Sequence, residues 1–550
     1  MIMGPTYASR PWLRHYDYWV PSHMTYPRRP LHEILDAAAI DVPDRPATAF
    51  FGATLTFAEI KEQADRFAVA LAGLGLVHGD RVGIMLPNCP QYIVAAFAIL
   101  RLGAVVVNIN PTYTARELLV VATDSGMRAL VTLDTLAPLA LAVRERTSVA
   151  HLLVTSLTEY TPAAAAPPKV DGALALADLV RATPPRVTHV PVAADDLAVL
   201  QYTGGTTGAS KGAMLTHANI FANVIQSEAF MYRARVRGEA RYLLVIPYFH
   251  IYAFTVGMMT GIWSGALQVL IPKYDVEQVL AAIRDFRPTY FPGVPTLFVS
   301  LLQHPRVADY GLDRVRTFNT GGAPCPVEII DAWVRTTGRT LNEGYGLSET
   351  SPVTHSTPQF GLRKPGTIGL PMPDTDMTIV DLETGSHEMP TGEPGELCVA
   401  GPQVMKGYWN QPEETARALR LHADGRIWFH TGDVARMDED GYTTIVQRKK
   451  DMIIVDGFNV FPSEVEAVLY MHPAVRLAAV IGRPDPYHGE VVKACLVLKD
   501  GASATAEELL AHCRKELAPY KMPAQIDIRS ALPMSAVGKI LYRVLREEAP

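Results

Sequence analysis

A loop of glycines, hydroxyl side chains and one lysine carries the clearest chemical signal in the sequence. Residues 202–212 read YTGGTTGASKG and follow the apolar run LAVL at 197–200. Glycine allows a positive φ and lets the backbone approach a ligand without a Cβ in the way. Backbone N–H groups gathered beside a cation such as Lys211 bind polyphosphate. No G-x-x-x-x-G-K-[ST] spacing fits here, so the loop is not a Walker A motif. A plain surface loop is the alternative, and the pattern favours phosphate binding over it.

Two later segments could complete a nucleotide site. In EGYGLSET at 343–350, an exposed tyrosine between two glycines offers a flat face on which a purine can stack. Glu349 in the same segment supplies a hard oxygen of the kind that Mg²⁺ prefers. In TGD at 431–433, Asp433 has two acceptor oxygens, enough for both vicinal hydroxyls of a ribose. Taken one at a time, these residues would be a turn tyrosine, a solvated charge and a turn aspartate.

The loop and these segments, in this order, resemble the motifs of the acyl-adenylate-forming synthetases. That family's loop is written Tyr-Thr-Ser-Gly-Thr-Thr-Gly-x-Pro-Lys-Gly, and the chain departs from it at Gly205 and Ser210 while keeping Lys211. The second segment matches the family's Tyr-Gly-x-[Ser/Thr]-Glu. The resemblance covers roughly residues 31–546. TGGTTG, the GGAP at 321–324 and EGYGLSET are most similar to medium- and long-chain fatty acyl-CoA synthetases.

The resemblance implies a role for each matching residue. Lys539, Lys211, His250 and Arg448 would be catalytic, Thr203 and Glu349 would hold Mg²⁺, and Lys450 would be the hinge. The nucleotide would be bound by a larger set of mostly small and polar residues: Thr203, Gly204, Gly205, Thr206, Thr207, Gly208, Lys211, Gly322, Ala323, Glu343, Gly344, Tyr345, Gly346, Ser348, Asp433, Arg448, Gly457 and Lys539.

The resemblance also places the acyl pocket. His250 lies in PYFHIY at 247–252, a segment similar to the one that lines the entrance of the carboxylate pocket in the family. A histidine that is simply buried in the core is the alternative. FPGVPT at 291–296 and TGGAP at 320–324 are similar to tunnel walls of fatty acyl-CoA synthetases. Tight backbone turns are the alternative for both.

Length, charge and cysteine content narrow the class of protein. A chain of 550 residues is too long for one core and predicts a large domain plus at least one more. A net charge of −6 gives no support to nucleic-acid binding. Five scattered cysteines without a C-x-x-C pair indicate reduced thiols in a cytosolic protein, neither a disulfide scaffold nor a zinc site.

Two stretches raise the question of membranes. Residues 1–30 lack the apolar region of a signal peptide. Pro247, His250 and Ser264 interrupt the apolar stretch 243–271, so we expect a buried strand–helix–strand there and no transmembrane helix. Peripheral contact with a lipid surface stays open.

Alternating helix and strand signals from Leu31 to about Thr132 predict a parallel, doubly wound sheet. Capping boxes at 56–59 and 114–117 mark the starts of two helices. GLG at 73–75 lacks the third glycine of a dinucleotide fingerprint, which argues against a Rossmann dehydrogenase. We therefore expect an α/β fold: a large N-terminal domain of doubly wound sheets with a smaller β subdomain over 1–447, a hinge at 448–450, and a small mobile α+β domain over 451–550.

The resemblance implies an acyl-CoA synthetase that works in two steps. ATP and a fatty acid give acyl-AMP and pyrophosphate, and coenzyme A then displaces AMP. Charge that grows on the phosphoryl oxygens must be neutralised by cations, a role for Mg²⁺ and Lys539. Two alternatives are an aromatic-acid ligase of the coumarate or benzoate type and an acyl-AMP ligase that serves a carrier protein. The missing Walker spacing argues against a P-loop NTPase. A cytoplasmic enzyme is expected, and a homodimer is left open.

Overall fold

The computed structural model describes residues 6–162, 169–184, 190–203, 210–231, 237–456, 458–485, 487–535 and 540–548, apart from the side chain of Asn459. The chain divides into two compact units. The large unit comprises Trp12–Asp376 and Ala400–Phe429. The small unit comprises Met1–Pro11, Met377–Val399 and His430–Pro550.

The first half of the large unit alternates helices and strands. In chain order these are α1 (Glu33–Asp41), β1 (Pro46–Phe50), β2 (Ala53–Thr56), α2 (Phe57–Gly73), β3 (Arg81–Met85), α3 (Pro90–Arg101), β4 (Val105–Asn108), α4 (Ala115–Ser125), β5 (Ala129–Leu133), α5 (Ala137–Arg144), β6 (His151–Thr155), β7 (Leu174–Ala175), α6 (Leu176–Ala182), β8 (Leu197–Thr203), β9 (Lys211–Thr216) and α7 (His217–Met231). Both predicted capping boxes are present. The side chains of Thr56 and Thr114 each accept the backbone N–H of the glutamate three residues on, and each threonine donates its own backbone N–H to that glutamate's carboxylate.

The alternation continues to the end of the large unit. Its elements are β10 (Arg241–Leu244), a π-helical segment (Ala253–Met259), α8 (Thr260–Trp263), β11 (Leu267–Leu270), α9 (Val276–Phe286), β12 (Tyr290–Gly293), α10 (Pro295–Leu302), β13 (Thr317–Gly321), α11 (Val327–Thr337), β14 (Leu341–Gly346), β15 (Val353–Ser356) and β16 (Leu370–Pro371). The apolar stretch 243–271 thus forms the predicted buried strand–helix–strand. Within the described residues, none of the helices has the length and apolarity needed to span a bilayer.

Two sheets organise the large unit. One has seven strands in the order β7-β6-β5-β3-β4-β8-β9, and the other has nine in the order β16-β15-β14-β13-β12-β10-β11-β1-β2. Their central strands are parallel, and the antiparallel pairs lie toward the edges. Parallel strands need cover on both faces, and all five residues of β5 are accordingly buried. The α/β class and the doubly wound sheets predicted from the sequence are confirmed.

The remaining elements complete the large unit and form the small unit, whose strands are mostly antiparallel except for the parallel pair β25–β26. The elements are β17 (Asp376–Val380), β18 (Gly395–Ala400), α12 (Pro412–Ala418), β19 (Leu419–Leu421), β20 (Ile427–Met437), β21 (Thr443–Arg448), β22 (Ile453–Val455), β23 (Phe458–Val460), α13 (Pro462–Tyr470), β24 (Val475–Asp485), β25 (Gly489–Leu498), α14 (Ala506–Glu516), β26 (Gln525–Ile528) and α15 (Tyr542–Glu547). β17, β18 and β20 are neighbours, with β21 on β20. The last five strands form a second sheet, β23-β22-β25-β24 with β26 on β25, which the core residues of α13 and α14 cover.

Candidate nucleotide and acid site

The β8–β9 hairpin positions the two described ends of the predicted phosphate loop. Thr203 closes β8 and Lys211 opens β9, and the two residues are paired in the antiparallel register. The Ser210 hydroxyl donates to the Thr203 carbonyl at 3.0 Å. Gly204, Gly205, Thr206, Thr207 and Gly208 lie outside the described residues. The structure therefore brings the predicted hydroxyl and ammonium groups to the same end of one hairpin.

Lys211 is held by two groups that sequence reasoning missed. Its ammonium forms an ion pair with Glu414 of α12 and lies 5.3 Å from the centre of the Tyr408 ring. The hydrogen bond from Lys211 holds the pKa of the Glu414 carboxyl below its ordinary value. Tyr408 also donates its hydroxyl to Glu349 Oε1 at 2.8 Å. One tyrosine thus connects the predicted phosphate-binding cation to the predicted metal ligand.

Tyr408 reaches this place because residues 405–409 run alongside β9. Lys406 N donates to the Met214 carbonyl and Met214 N to the Gly407 carbonyl, both at 2.9 Å. Trp409 N donates to the Gly212 carbonyl at 2.8 Å. The alternating bonds fix the register of the segment, so the Tyr408 ring faces the start of β9. A glycine followed by two aromatic residues was the sequence signal that could have identified it.

Glycines shape the ends of β13 and β14. Gly321 is paired with Gly344, and a Cβ on Gly321 would lie 3.1 Å from the Gly344 carbonyl oxygen. A Cβ on Gly346 would lie 2.1 Å from the Pro352 carbonyl oxygen, so no other residue fits there. Gly322 has a φ of 80°, a backbone conformation that favours glycine. These glycines let two strand ends lie close together beside Ala323.

Tyr345 lies between Gly344 and Gly346 on β14. Its ring meets the His355 ring edge-on at 6.0 Å, and the tyrosine is half-buried instead of exposed as expected. The neighbouring β15 supplies His355 and so fixes one edge of the ring. A short 3₁₀ turn, Ser348–Thr350, then carries Glu349.

Glu343 is an unusual carboxyl for a nucleotide site. Burial raises its pKa to about 7, against the lowering effect of backbone N–H groups from Cys325 and Gly366. Near neutral pH this side chain is therefore shared between the acid and the carboxylate form, and can both donate and accept hydrogen bonds. The sequence assigns Glu343 to the nucleotide-binding set but gives no sign of its raised pKa.

The His250 segment lies near β13. His250 Nδ1 accepts the backbone N–H of Tyr252 at 3.2 Å, and the π-helical segment follows at once. A Cβ on Gly321 would lie 3.5 Å from the Tyr252 ring. The predicted entrance segment and the predicted tunnel wall are thus neighbours, with Tyr252 as the point of contact. Extra turns of this π type are frequently found at functional sites.

In the small unit, Asp433 and Arg448 are paired across β20 and β21. Asp433 is 2% exposed, and Arg448 Nε lies 2.7 Å from its Oδ1. Removing a carboxylate from water is unfavourable unless it is paired. The arginine therefore explains how a buried charge persists where a ribose acceptor was predicted. Gly457 and Lys539 lie outside the described residues.

The predicted hinge residues point to different partners. Lys449 Nζ lies 3.0 Å from Glu396 Oε2, and Asp451 forms an ion pair with Arg546 of α15. Lys450 lies between them, and burial lowers the pKa of its ammonium. Glu396 and Arg546 were not identified from the sequence, because both partners are distant along the chain.

Comparison with known proteins gives a consistent family. A model described as AMP-binding enzyme matches residues 35–409, and one described as AMP-binding enzyme C-terminal domain matches 464–539. The chain is 43% identical over 560 residues to a long-chain-fatty-acid–CoA ligase of Bacillus subtilis (strain 168), covering 98% of each chain. It is 37% identical to a feruloyl-CoA synthase of Amycolatopsis sp, covering 92% of this chain and 96% of the relative. The crystal structure of ATP-bound MatB from Rhodopseudomonas palustris superposes with a TM-score of 0.86 at 31% identity, covering 94% of this chain and 99% of the other.

Proposed function

The chain belongs to the AMP-binding enzyme family, and from that premise we propose that it is an AMP-forming ligase that converts a medium- or long-chain fatty acid into its acyl-CoA. The observation that carries the proposal is the Lys211–Tyr408–Glu349 arrangement. It joins a phosphate-binding cation to a carboxylate suited to a metal, in a chain similar over nearly its whole length to a long-chain-fatty-acid–CoA ligase.

The reaction has two steps, each with a balanced exchange of bonds. A carboxylate oxygen of the acid attacks the α-phosphorus of ATP, and pyrophosphate leaves to give acyl-AMP. The sulfur of coenzyme A then attacks the acyl carbon, its proton is lost, and AMP leaves. The first step needs no general base because the acid is already ionised. It needs cations instead, since like charges must approach and charge grows on the phosphoryl oxygens.

The residues present fit a magnesium ion. Glu349 offers a carboxylate whose orientation is fixed by the Tyr408 hydroxyl, and Thr203 offers a hydroxyl at the end of β8. Mg²⁺ prefers hard oxygen ligands and takes only one or two from the protein. When bound, it would neutralise charge on the phosphates of ATP. Lys211 would contribute a second positive charge, with Glu414 as its partner when no phosphate is there.

The remaining roles follow from the family resemblance. Asp433 would accept the ribose hydroxyls, with Arg448 beside it on the nucleotide, and Tyr345 would stack on the purine. Lys539 would stabilise charge during adenylate formation. We propose domains over 1–447 and 451–550, joined by a hinge at 448–450 that turns at Lys450. Its neighbours Lys449 and Asp451 are each tied to a different element.

We place the acyl pocket between the His250 segment and Gly321–Gly322. Support comes from the Tyr252 ring, which lies next to Gly321. Peripheral contact with a lipid surface, a cytoplasmic location and a homodimer are predictions of the sequence that we keep. An aromatic acid is the second candidate substrate, favoured by the similarity to a feruloyl-CoA synthase.

Carboxylate-dependent exchange of pyrophosphate into ATP tests the proposal. Fatty acids of graded length, coumarate and benzoate are compared, and the product is analysed with and without coenzyme A. We expect AMP, pyrophosphate and acyl-CoA, with the highest rates for longer aliphatic acids. Formation of ADP, or exchange that does not depend on a carboxylate, would contradict the assignment. Acyl-AMP that coenzyme A does not consume would indicate a ligase that serves a carrier protein.

A further inference from the structure

Glu396 on β18 is a buried carboxylate with a different partner on each oxygen. It is 4% exposed. Its Oε1 accepts the backbone N–H of Gly432 at 3.2 Å, and its Oε2 accepts from Lys449 Nζ at 3.0 Å. His430 Nδ1 lies 3.5 Å from the same Oε2. Burial alone would raise the pKa of this carboxyl, but His430 and Lys449 lower it to about 2. The group is therefore a fixed negative charge.

Glu396 binds the backbone of a bend in β20, formed by Thr431, Gly432 and Asp433, that sets the direction of the Asp433 side chain. Gly432 has a φ of 71°, which interrupts the regular course of β20. The Thr431 hydroxyl donates to the Leu397 carbonyl at 2.8 Å and accepts the Asp433 N–H at 3.1 Å. Two successive residues of β18 thus hold this bend, one through its side chain and one through its backbone.

The other oxygen of Glu396 holds the segment next to the hinge. Lys449 directly follows Arg448, whose guanidinium pairs with Asp433. The bend, Glu396, Lys449 and Arg448 therefore form a closed ring of contacts around Asp433. Glu396 is the member that touches both the bend and Lys449, and its buried charge loses compensation on the side where a partner is removed.

We propose that Glu396 is a positioning residue that joins the ribose-binding bend to the hinge segment. It fixes the direction of Asp433 through Oε1 and restrains Lys449 through Oε2. This inference rests on the proposed function, in which Asp433 binds ribose and the chain turns at Lys450. Glu396 is expected to influence two separate properties: discrimination for the ribose hydroxyls and the balance between the two half-reactions.

The two oxygens can be tested separately. Glu396→Ala removes both contacts. Glu396→Gln keeps a carbonyl oxygen for Gly432 N and removes the charge that restrains Lys449, and Lys449→Met removes the same ion pair from the other side. Asp527→Asn is the matched control, since it breaks a 2.9 Å ion pair with Arg529 elsewhere in the small unit.

The first measurement compares kcat/KM for ATP and for 2′,3′-dideoxy-ATP in the exchange reaction. A pair of hydrogen bonds to a charged acceptor gives the wild type a preference for ATP on the order of 100-fold. We expect Asp433→Ala to abolish this preference and Glu396→Ala to reduce it at least about tenfold. Glu396→Gln, Lys449→Met and Asp527→Asn should keep it. A role in folding alone would lower both rates and leave their ratio unchanged.

The second measurement is the ratio of adenylate formation to thioester formation from supplied acyl-AMP. We expect Glu396→Gln and Lys449→Met to change this ratio in the same direction by about fivefold or more. The double variant should add nothing further, because both substitutions delete one ion pair. Asp527→Asn should leave the ratio as in the wild type.

Three outcomes would overturn the inference. They are an unchanged ATP preference in a folded Glu396→Ala, additive effects of the two ion-pair variants, and an unchanged ratio of half-reactions in both. If a thermal melt shows that Glu396→Ala does not fold, the ratio of half-reactions in Glu396→Gln and Lys449→Met still tests the inference. Failure of the proposed function itself looks different, because the wild type would then show no carboxylate-dependent exchange.

Discussion

Tyr408→Phe tests the link between Glu349, the proposed metal ligand, and Lys211, the proposed phosphate-binding lysine. The substitution removes one hydroxyl, which donates to Glu349 Oε1 at 2.8 Å. It keeps the ring that lies under the Lys211 ammonium. Tyr408 is 9% exposed, so water has little access to replace the lost donor. The variant therefore alters the proposed magnesium ligand while sparing the lysine.

The size of the effect follows from the charge of the acceptor. A hydrogen bond to a charged group contributes about 1.5–3 kcal/mol, which corresponds to roughly 10- to 150-fold in an equilibrium constant. Loss of a group that orients a metal ligand typically weakens metal binding by about 10- to 100-fold. We expect the magnesium concentration for half-maximal exchange to rise within that range. The KM for the acid should stay within about twofold, because Tyr408 contacts Glu349 and Lys211, whereas the proposed acyl pocket lies between the His250 segment and Gly321–Gly322.

The assay is pyrophosphate exchange at fixed ATP over a series of free Mg²⁺ concentrations. Trp409→Phe is the matched control, since its indole N–H donates to the Asp124 carbonyl and not to Glu349. Tyr408→Leu removes the ring as well, and should add a loss of about 0.5–1 kcal/mol from the cation–π contact. An unchanged magnesium requirement in Tyr408→Phe would refute the assignment of Glu349 as a metal ligand oriented by Tyr408.

Four further predictions concern separate parts of the mechanism. Asp433→Ala should raise the KM for ATP by about 10- to 100-fold and leave that for the acid unchanged, as initial rates would show. Lys539→Ala should slow adenylate formation on the order of 10²-fold and spare thioester formation from acyl-AMP. Lys450→Pro should slow thioester formation and spare adenylate formation, because proline fixes φ at the proposed hinge. Equal losses in both steps in both variants would contradict these roles. Gly322→Leu should shorten the preferred acid, with Gly322→Ala as the control for strain at its φ of 80°. Burial raises the pKa of Glu466 to about 7, so this carboxyl binds a proton more tightly in the folded than in the unfolded chain. Its stabilising effect is present below about pH 4.5 and is lost as pH rises through about 7. Between pH 5 and pH 8 the free energy of urea unfolding of Glu466→Gln should therefore rise by about 1–3 kcal/mol relative to that of the wild type.

Much of the fold was predictable because its signals are local. A threonine with a glutamate three residues later begins a helix wherever it occurs before an apolar repeat. The structure confirms this at Thr56 and Thr114. Strands alternating with helices then leave a parallel sheet as the simplest arrangement. The same local reasoning predicts the phosphate loop, since glycines and a lysine in one short stretch need no distant partner to be recognised.

The partners of the site residues could not be predicted, because they are distant along the chain. Lys211 pairs with Glu414, 203 residues away, and Glu349 receives the Tyr408 hydroxyl from 59 residues away. Only the folded chain brings β9 beside residues 405–409. The exposure of Tyr345 was misjudged for the same reason, as His355 on β15 covers one edge of its ring. A side chain's setting depends on which strands are neighbours, and sequence spacing does not give that.

The charged run Arg448–Asp451 shows how such distant partners change an interpretation. From the sequence, the resemblance predicts a hinge here and a simple charged turn is the alternative. In the structure Lys449 is tied to Glu396 on β18, whereas Asp451 is tied to Arg546 on α15. The two ion pairs lie on opposite sides of Lys450 along the chain. A rotation at Lys450 can therefore leave both intact, because each pair stays on its own side of the pivot.

A pivot one residue earlier or later would be less favourable. Turning at Lys449 would move it away from Glu396 and leave only the His430 ring, at 3.5 Å, beside the buried Oε2. Loss of a partner from a buried charge typically costs several kcal/mol. Turning at Lys450 has a smaller cost. It breaks two hydrogen bonds of Ser463, from its hydroxyl to the Val446 carbonyl and from its N–H to Gln447 Oε1, and each such hydrogen bond contributes only about 0.5–1.5 kcal/mol net. A cost of this size would keep two orientations accessible at equilibrium, whereas separation of a buried ion pair would strongly favour one of them.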